Sequence, residues 1–86
     1  MRTLMTEFPV TITSPDERLW EGQATSISSE NSAGKFDILP EHANFITMIR
    51  NKPIIIRSQG RADQQFTYRS SVLAVNNGSV SIYAEI

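Results

Sequence analysis

The stretch that decides the fold class is residues 72–85, which read VLAVNNGSVSIYAE. Val72–Val75 is a short apolar run, and residues 80–86 alternate with the period of two that is typical of a strand with one buried face. Between them lies Asn77-Gly78, whose two residues both tolerate positive φ and favour a tight hairpin turn. The segment therefore predicts two antiparallel strands joined by a two-residue turn.

The same punctuation recurs along the rest of the chain, where short apolar runs alternate with turn signals about every ten residues. Composition agrees, because Ile, Val and Thr together number 21 whereas Leu and Ala number 10. Branched side chains fit a pleated surface better than a helix. The remaining strands are predicted at residues 8–13, 18–21, 24–29, 35–39, 45–50, 54–58 and 65–69.

Three further expectations concern positions within the sheets. Pro9 lacks an N–H donor, so the first strand is predicted to lie at a sheet edge or to begin just after this residue. Gly22 is predicted to allow a bulge or a bend. Segments 45–50 and 54–58 have the strongest apolar patterns, so they are predicted to dominate the core.

Nine or so short strands in 86 residues cannot form one flat open sheet. The chain is therefore predicted to be all-β, folded as a two-sheet sandwich or a flattened barrel. One domain is expected over residues 1–86, with residues 1–7 disordered and helix confined to the extreme ends.

Composition excludes several classes of protein. Eight basic and nine acidic residues give a net charge of -1, without the positive field of a general nucleic-acid or anionic-membrane binder. The absence of Cys excludes disulfides and thiolate zinc sites. The longest aliphatic run, Ile54–Ile56, is far shorter than the ~20 residues that span a bilayer. With no apolar signal segment at the N-terminus, these features predict a soluble, intracellular domain.

His42 is the only side chain that ordinarily titrates near neutral pH, so a catalytic or metal-binding hypothesis would centre on it. Glu41 is adjacent and Asp37 lies in the preceding strand. No nucleophile elbow, phosphate-binding glycine loop or histidine pair accompanies them. A contact role for His42 is therefore favoured over catalysis.

Two other features suggest binding. Residues 30–34 form a turn-like stretch without periodicity and are the best candidate for an exposed functional loop. Four basic residues, together with strand aromatics, leave open a nucleic-acid- or ligand-binding β-barrel, although a solvated face is the simpler interpretation. These basic residues are Arg50, Lys52, Arg57 and Arg61.

Residues 34–47 read GKFDILPEHANFIT. This stretch resembles the pattern G-x-x-x-I-L-P-x-H-A-x-(apolar)-(apolar)-T of the epsilon subunit of F-type rotary ATP synthases, which is called delta in mitochondria. Residues 8–22, with a Ser-Pro turn and Trp20 two positions before Gly22, resemble the first hairpin of that family. Residues 66–82 are similar to its late strands, so the resemblance covers nearly the whole chain.

The resemblance implies a ten-stranded β-sandwich at the foot of the central stalk. Such a subunit is non-catalytic, requires no cofactor or metal, and binds no nucleic acid. It binds the gamma shaft and the polar loops of the c-ring, and so couples ion-driven rotation to ATP synthesis. It is expected on the cytoplasmic side of the energy-transducing plasma membrane, associated with the membrane only through the complex.

The resemblance also implies two sets of contact residues. Candidate c-ring contacts are Glu30, Asn31, Ser32, Gly34 and Lys35. Candidate gamma contacts are Ser14, Glu41 and His42.

The chain departs from the family pattern in three places. Lys35 stands where the family often has Glu, and Ser70-Ser71 stand where it usually has two glycines, which predicts a more restricted backbone. The sequence stops at Ile86, where most bacterial members continue into a helical hairpin that inhibits ATP hydrolysis. The expectation is a subunit that couples rotation without that inhibition.

Overall fold

The computed structural model describes residues 6–86, which contain nine β-strands and no helix. The all-β prediction is confirmed. The expectation of disorder in residues 1–7 falls mainly on residues 1–5, which lie outside the described part of the chain. The strands are β1 (Phe8–Thr13), β2 (Arg18–Ala24), β3 (Ser26–Asn31), β4 (Gly34–Ile38), β5 (Phe45–Ile49), β6 (Pro53–Arg57), β7 (Gln64–Thr67), β8 (Ser71–Asn76) and β9 (Ser79–Ala84).

The strands form two sheets packed face to face. The five-stranded sheet has the order β2-β1-β9-β8-β5 and the four-stranded sheet the order β4-β3-β6-β7. Neighbouring strands are antiparallel except β1 and β9, which run parallel. Among residues 6–86 no ladder joins the two sheets, so the sandwich prediction is confirmed and the barrel alternative is wrong.

The β8–β9 hairpin has the predicted geometry. Asn77 has φ 50° and Gly78 has φ 81°, the pair of left-handed residues that a type I′ turn requires. The register pairs Leu73 with Ile82 across the strands. Both side chains are fully buried, so the inner face of this hairpin supplies the centre of the core.

The two central segments of the chain contribute unequally to that core. Ile54 and Ile56 of β6 are fully buried, as predicted. In β5 only Ile49 is buried, whereas Ile46 is 72% exposed and Met48 is 43% exposed. The prediction for residues 45–50 is wrong in this respect because alternate β5 side chains point to the outer face of the sheet, which nothing in the described chain covers.

Two expectations about β1 and β2 are corrected. β1 lies between β2 and β9, so it is not an edge strand. Its ladder with β9 begins only at Val10, which is why Pro9 is tolerated just before that ladder. Strand β2 continues through Gly22 without a bulge. The β1–β2 pairing is irregular at Leu19 instead, because Ile12 pairs with Trp20 and Thr13 with Arg18.

Aromatic pairs close the sandwich on both sides. Where β2 lies over β7, the ring centroids of Trp20 and Phe66 are 6.1 Å apart, and Phe66 stacks on Tyr68 at 6.3 Å. Where β5 lies over β4, the centroids of Phe36 and Phe45 are 5.6 Å apart. Each such pair adds about 0.5–1.5 kcal/mol beyond its buried area, so the two sheets are held as one body.

Candidate functional site

The β3–β4 hairpin brings together the five residues predicted to contact the c-ring. The stretch predicted as a loop is in fact a tight hairpin, because Glu30 and Asn31 end β3 whereas Gly34 and Lys35 begin β4. The side-chain oxygen of Asn31 accepts a hydrogen bond from the backbone N–H of Ala33 at 2.9 Å. This local bond closes the turn, so that only Ser32 and Ala33 are needed to connect β3 to β4.

The same hairpin is fastened to the edge of the five-stranded sheet. Asn31 Nδ2 donates to Thr47 Oγ1 on β5 at 3.0 Å. Lys52 Nζ lies 4.0 Å from Glu30 Oε2. The hairpin is therefore positioned by β5 and by the turn that follows it.

Ser14 organises the β1–β2 turn. Its hydroxyl oxygen accepts hydrogen bonds from the backbone N–H groups of Asp16 and Glu17 at 3.3 and 3.2 Å. The Ser14 N–H donates to the Glu17 carbonyl oxygen at 2.8 Å. The Ser14 side chain thus stabilises the β1–β2 turn.

Glu41 and His42 lie in the turn after β4. The His42 N–H donates to the Leu39 carbonyl oxygen at 3.1 Å, and Pro40 presets the second position of this turn. Glu41 occupies the third position with φ 65°, a conformation that usually favours glycine. The turn therefore holds His42 close against β5.

The imidazole of His42 is half-buried. Its Nδ1 donates to the Ala43 carbonyl oxygen at 2.7 Å, and its ring packs edge-on against Phe45 with centroids 5.8 Å apart. Asp37, the carboxylate considered as its orienter, instead accepts a hydrogen bond from Ser28 Oγ at 2.6 Å. Within residues 6–86 no three His, Cys, Asp or Glu side chains are grouped so that they could hold a metal ion.

The candidate gamma contacts lie at opposite ends of the sandwich. The Asn77 N–H donates to Asn44 Oδ1 at 3.0 Å. The turn that carries His42 therefore lies at the same end of the sandwich as the β8–β9 turn. Strand β1 runs parallel to β9, which leads away from the β8–β9 turn. Ser14 follows β1 and therefore lies at the opposite end of the sandwich. The β3–β4 hairpin lies beside the final residues of β5, at the Ser14 end.

The basic residues do not form one face. Arg57 Nη1 donates to Ser28 Oγ at 2.7 Å, and Arg57 Nε lies 3.6 Å from Asp63 Oδ2. Lys52 is close to Glu30. Arg57 and Lys52 thus each lie near a carboxylate of the chain itself. In the part of the chain described, no helix has the length and apolar character needed to cross a membrane.

Sequence reasoning missed an exposed apolar surface on the five-stranded sheet. Tyr83 is 46% exposed and lies in the same cross-strand row as Val72 and Met48. Ile46 and Ala74 form the next row. The signal lies in β5, where the outward-facing Ile46 and Met48 are apolar as well as the inward-facing Phe45 and Ile49. We call this surface the outer apolar face, and it consists of Ile46, Met48, Val72, Ala74 and Tyr83.

Comparison with known proteins identifies the family. The family model described as the ATP synthase Delta/Epsilon chain, beta-sandwich domain, matches residues 7–86. The chain belongs to this family. The match spans both sheets, the β3–β4 hairpin and the turn of His42, and it confirms the resemblance seen in the sequence.

Curated relatives of this family are similar along most of the chain. The ATP synthase epsilon chain of Mycobacterium avium (strain 104) is 27% identical over 82 residues, which cover 94% of this chain and 68% of the relative. The epsilon chain of Brevibacillus brevis is 24% identical over 81 residues, which cover 94% of this chain and 61% of the relative. The chain thus spans about two thirds of the length of these delta/epsilon-family relatives.

Solved structures share the fold. A chain in the central stalk/c-ring structure of the Tetrahymena thermophila mitochondrial ATP synthase superposes with a TM-score of 0.80 at 13% identity, covering 98% of this chain and 67% of that one. A chain in the OSCP/F1/c-ring structure of the Euglena gracilis mitochondrial ATP synthase gives 0.84 at 19% identity, covering 96% and 53%. The β-sandwich fold is therefore shared at low sequence identity.

Proposed function

We propose that this chain is a non-catalytic subunit of the central stalk of a rotary ATP synthase, where it connects the gamma shaft to the c-ring. The observation that carries the proposal is the family match over residues 7–86. In this role the chain is attached to the cytoplasmic side of the energy-transducing membrane only through the complex.

The proposed mechanism is mechanical, and the packing of the domain suits it. A subunit that transmits torque must resist deformation between its two contact surfaces. Here the ladders of both sheets, a continuous buried core and aromatic pairs at both sides oppose local opening. Rotation of the ring is thereby passed to the shaft and on to the catalytic hexamer.

The proposed ring contact is the β3–β4 hairpin, with Glu30, Asn31, Ser32, Gly34 and Lys35. The turn residues Ser32 and Ala33 are exposed. The bond from Asn31 to Thr47 ties the hairpin to the sheet. A hairpin anchored in this way can transmit force that a mobile loop would not.

The proposed gamma contact is the outer apolar face. Ser14 and His42 lie at opposite ends of the five-stranded sheet and near opposite edges, so a partner that lies along this surface can touch both. Ile46 and Tyr83 are the most exposed members of the face, and contiguous exposed apolar surface is typical of interaction sites. Gamma is therefore proposed to cover the side of the sandwich formed by β9, β8 and β5.

A binding experiment with recombinant gamma tests this proposal. Tyr83→Asp and Ile46→Asp each place a charge on the outer apolar face, and each is expected to weaken gamma binding by about tenfold or more, since buried interface residues dominate affinity. Thr67→Asp is the matched control, because Thr67 is exposed on the other sheet. Equal affinity of all three variants and the parent chain would contradict a gamma contact on this face.

A further inference from the structure

The β8–β9 turn contains an Asn-Gly pair to which the proposed function gives no role. Asparagine occurs at positions 31, 44, 51, 76 and 77, and only Asn77 is followed by glycine. Asn77 is exposed, and among the described residues no group forms a hydrogen bond with its side-chain amide. Gly78 lies between the paired residues Asn76 and Ser79, and its N–H donates to no described group. The side-chain amide of Asn77 and the backbone nitrogen that follows it are therefore both open to reaction.

We propose that Asn77 is a site of spontaneous deamidation. The Gly78 backbone nitrogen gives its proton to hydroxide and attacks Cγ of Asn77. The N–Cγ bond forms, the Cγ–Nδ2 bond breaks, and Nδ2 takes up a proton and leaves as ammonia. Water then opens the resulting succinimide ring. Cleavage of the new N–Cγ bond gives aspartate, whereas cleavage of the bond from that nitrogen to the Asn77 backbone carbonyl carbon gives isoaspartate.

The residue after the asparagine decides which site reacts first. Asparagine is a thermolabile residue, and glycine favours ring closure because it has no Cβ to hinder the approach of its nitrogen. Each of the other four asparagines precedes a residue that carries a side chain. Asn31 is restrained further, because its amide accepts from the Ala33 N–H at 2.9 Å and donates to Thr47 Oγ1 at 3.0 Å. Asn77 is therefore the most reactive asparagine of the chain.

The native turn opposes the reaction, and the side chain of Asn44 stabilises that turn. Asn77 has φ 50°, and in the left-handed conformation of a type I′ turn the Gly78 nitrogen points away from the Cβ of Asn77. Ring closure therefore requires local opening of the turn. The Asn77 N–H donates to Asn44 Oδ1 at 3.0 Å. Because this bond favours the closed turn, Asn44 slows the reaction at Asn77.

Deamidation alters the hairpin and the end of the sandwich that it occupies. Isoaspartate carries the main chain through Cβ and Cγ, which adds one backbone atom to a turn of only two residues. Either product adds one negative charge beside Asn44, in the turn that also carries His42. The reaction needs water and no partner, so it is independent of the proposed stalk function.

Mass spectrometry of the purified chain, held at mildly alkaline pH, tests the proposal. The mass gain that accompanies conversion of an amide to an acid is expected at Asn77 before any other asparagine, and faster at higher pH because hydroxide takes the Gly78 proton. Asn44→Ala is expected to accelerate it about twofold to tenfold, the factor that corresponds to one hydrogen bond. Asn31→Ala loses hydrogen bonds at the opposite end of the sandwich and should leave the rate unchanged. Circular dichroism checks that each variant is folded.

A chain unfolded in guanidinium chloride sets the upper limit of the rate, because no turn then restrains Asn77. If Asn77 of the folded parent is unmodified when the unfolded chain has reacted fully, or reacts no faster than the other asparagines, the site is wrong. Equal rates in Asn44→Ala and the parent would contradict the protection by Asn44. Asn77→Gly can keep the type I′ turn and should form no isoaspartate in the β8–β9 turn. Isoaspartate that persists in this variant would assign the reaction to Asn76 instead.

Discussion

The indole of Trp20 lies directly over Gly22, two residues along the same strand. A methyl group built at Gly22 would stand 2.8 Å from Cη2 and 2.9 Å from Cζ2 of the indole. The missing side chain at Gly22 thus provides the space in which Trp20 reaches Phe66 on the opposite sheet. Gly22 is therefore needed to make room for the Trp20 side chain, not to form a turn.

Gly22→Ala is therefore expected to displace the indole. Overpacking of this kind costs about 1–3 kcal/mol, which denaturant titration would measure as a lower free energy of unfolding. Trp20 is the only tryptophan, so its emission should also shift to the red. Gly60→Ala is the control, because Gly60 has φ 73° and open space around it: stability should fall while the emission stays constant. An unchanged spectrum in Gly22→Ala would contradict the contact.

Asn31→Ala removes two hydrogen bonds, the one that closes the β3–β4 turn and the one that reaches Thr47. The expected loss is about 1–3 kcal/mol of unfolding free energy, at roughly 0.5–1.5 kcal/mol for each bond. Ser32→Ala, in the same turn, should change stability by no more than about 0.5 kcal/mol. A double-mutant cycle with Thr47→Val isolates the second bond, and strict additivity would show that it contributes nothing.

Two isoleucines of β5 give a direct test of its one-sided burial. Ile49 is 1% exposed and Ile46 is 72% exposed. Ile49→Ala is expected to cost about 2–5 kcal/mol because it leaves a cavity in the core, whereas Ile46→Ala should cost about 0.5 kcal/mol or less in the isolated chain. Equal losses at both positions would mean that β5 is buried on both faces.

Stability at alkaline pH should depend on Tyr68. Burial, and secondarily the charge of Glu85, raises the pKa of the Tyr68 phenol above its ordinary value of 10.0. The unfolded chain then loses this proton at lower pH than the folded chain, so the associated stability is present below pH 10.0 and is lost as pH rises through the raised pKa. Tyr68→Phe should remove this loss, and Glu85→Gln should reduce it. Parallel pH profiles for the parent and Tyr68→Phe above that pH would exclude the effect.

Local patterns predicted much of the fold but not its long-range contacts. Asn77-Gly78 has the predicted turn because the φ values of those two residues depend on little else. The exposure of one β5 face could not be predicted in this way, since an apolar run is equally consistent with a strand buried on both faces and with a strand whose outer face is open. The turn bonds of Ser14 were predictable from residue type.

The candidate site was predictable only in part, for the same reason. The hairpin residues are adjacent in sequence, so they lie together whatever the rest of the fold. The Asn31–Thr47 bond and the proximity of Arg50 to the hairpin depend on how the two sheets are stacked. Strand order also separates Ser14 from His42, and no local pattern reports strand order.

The most direct test of the central claim is ion pumping per ATP hydrolysed by an F-type complex that has been stripped of its own delta/epsilon-type subunit and reconstituted in vesicles. Adding this chain should raise that ratio and saturate at one chain per complex, because shaft and ring would then turn together. A ratio that does not change when the chain is added in excess would contradict its role as the connection between them.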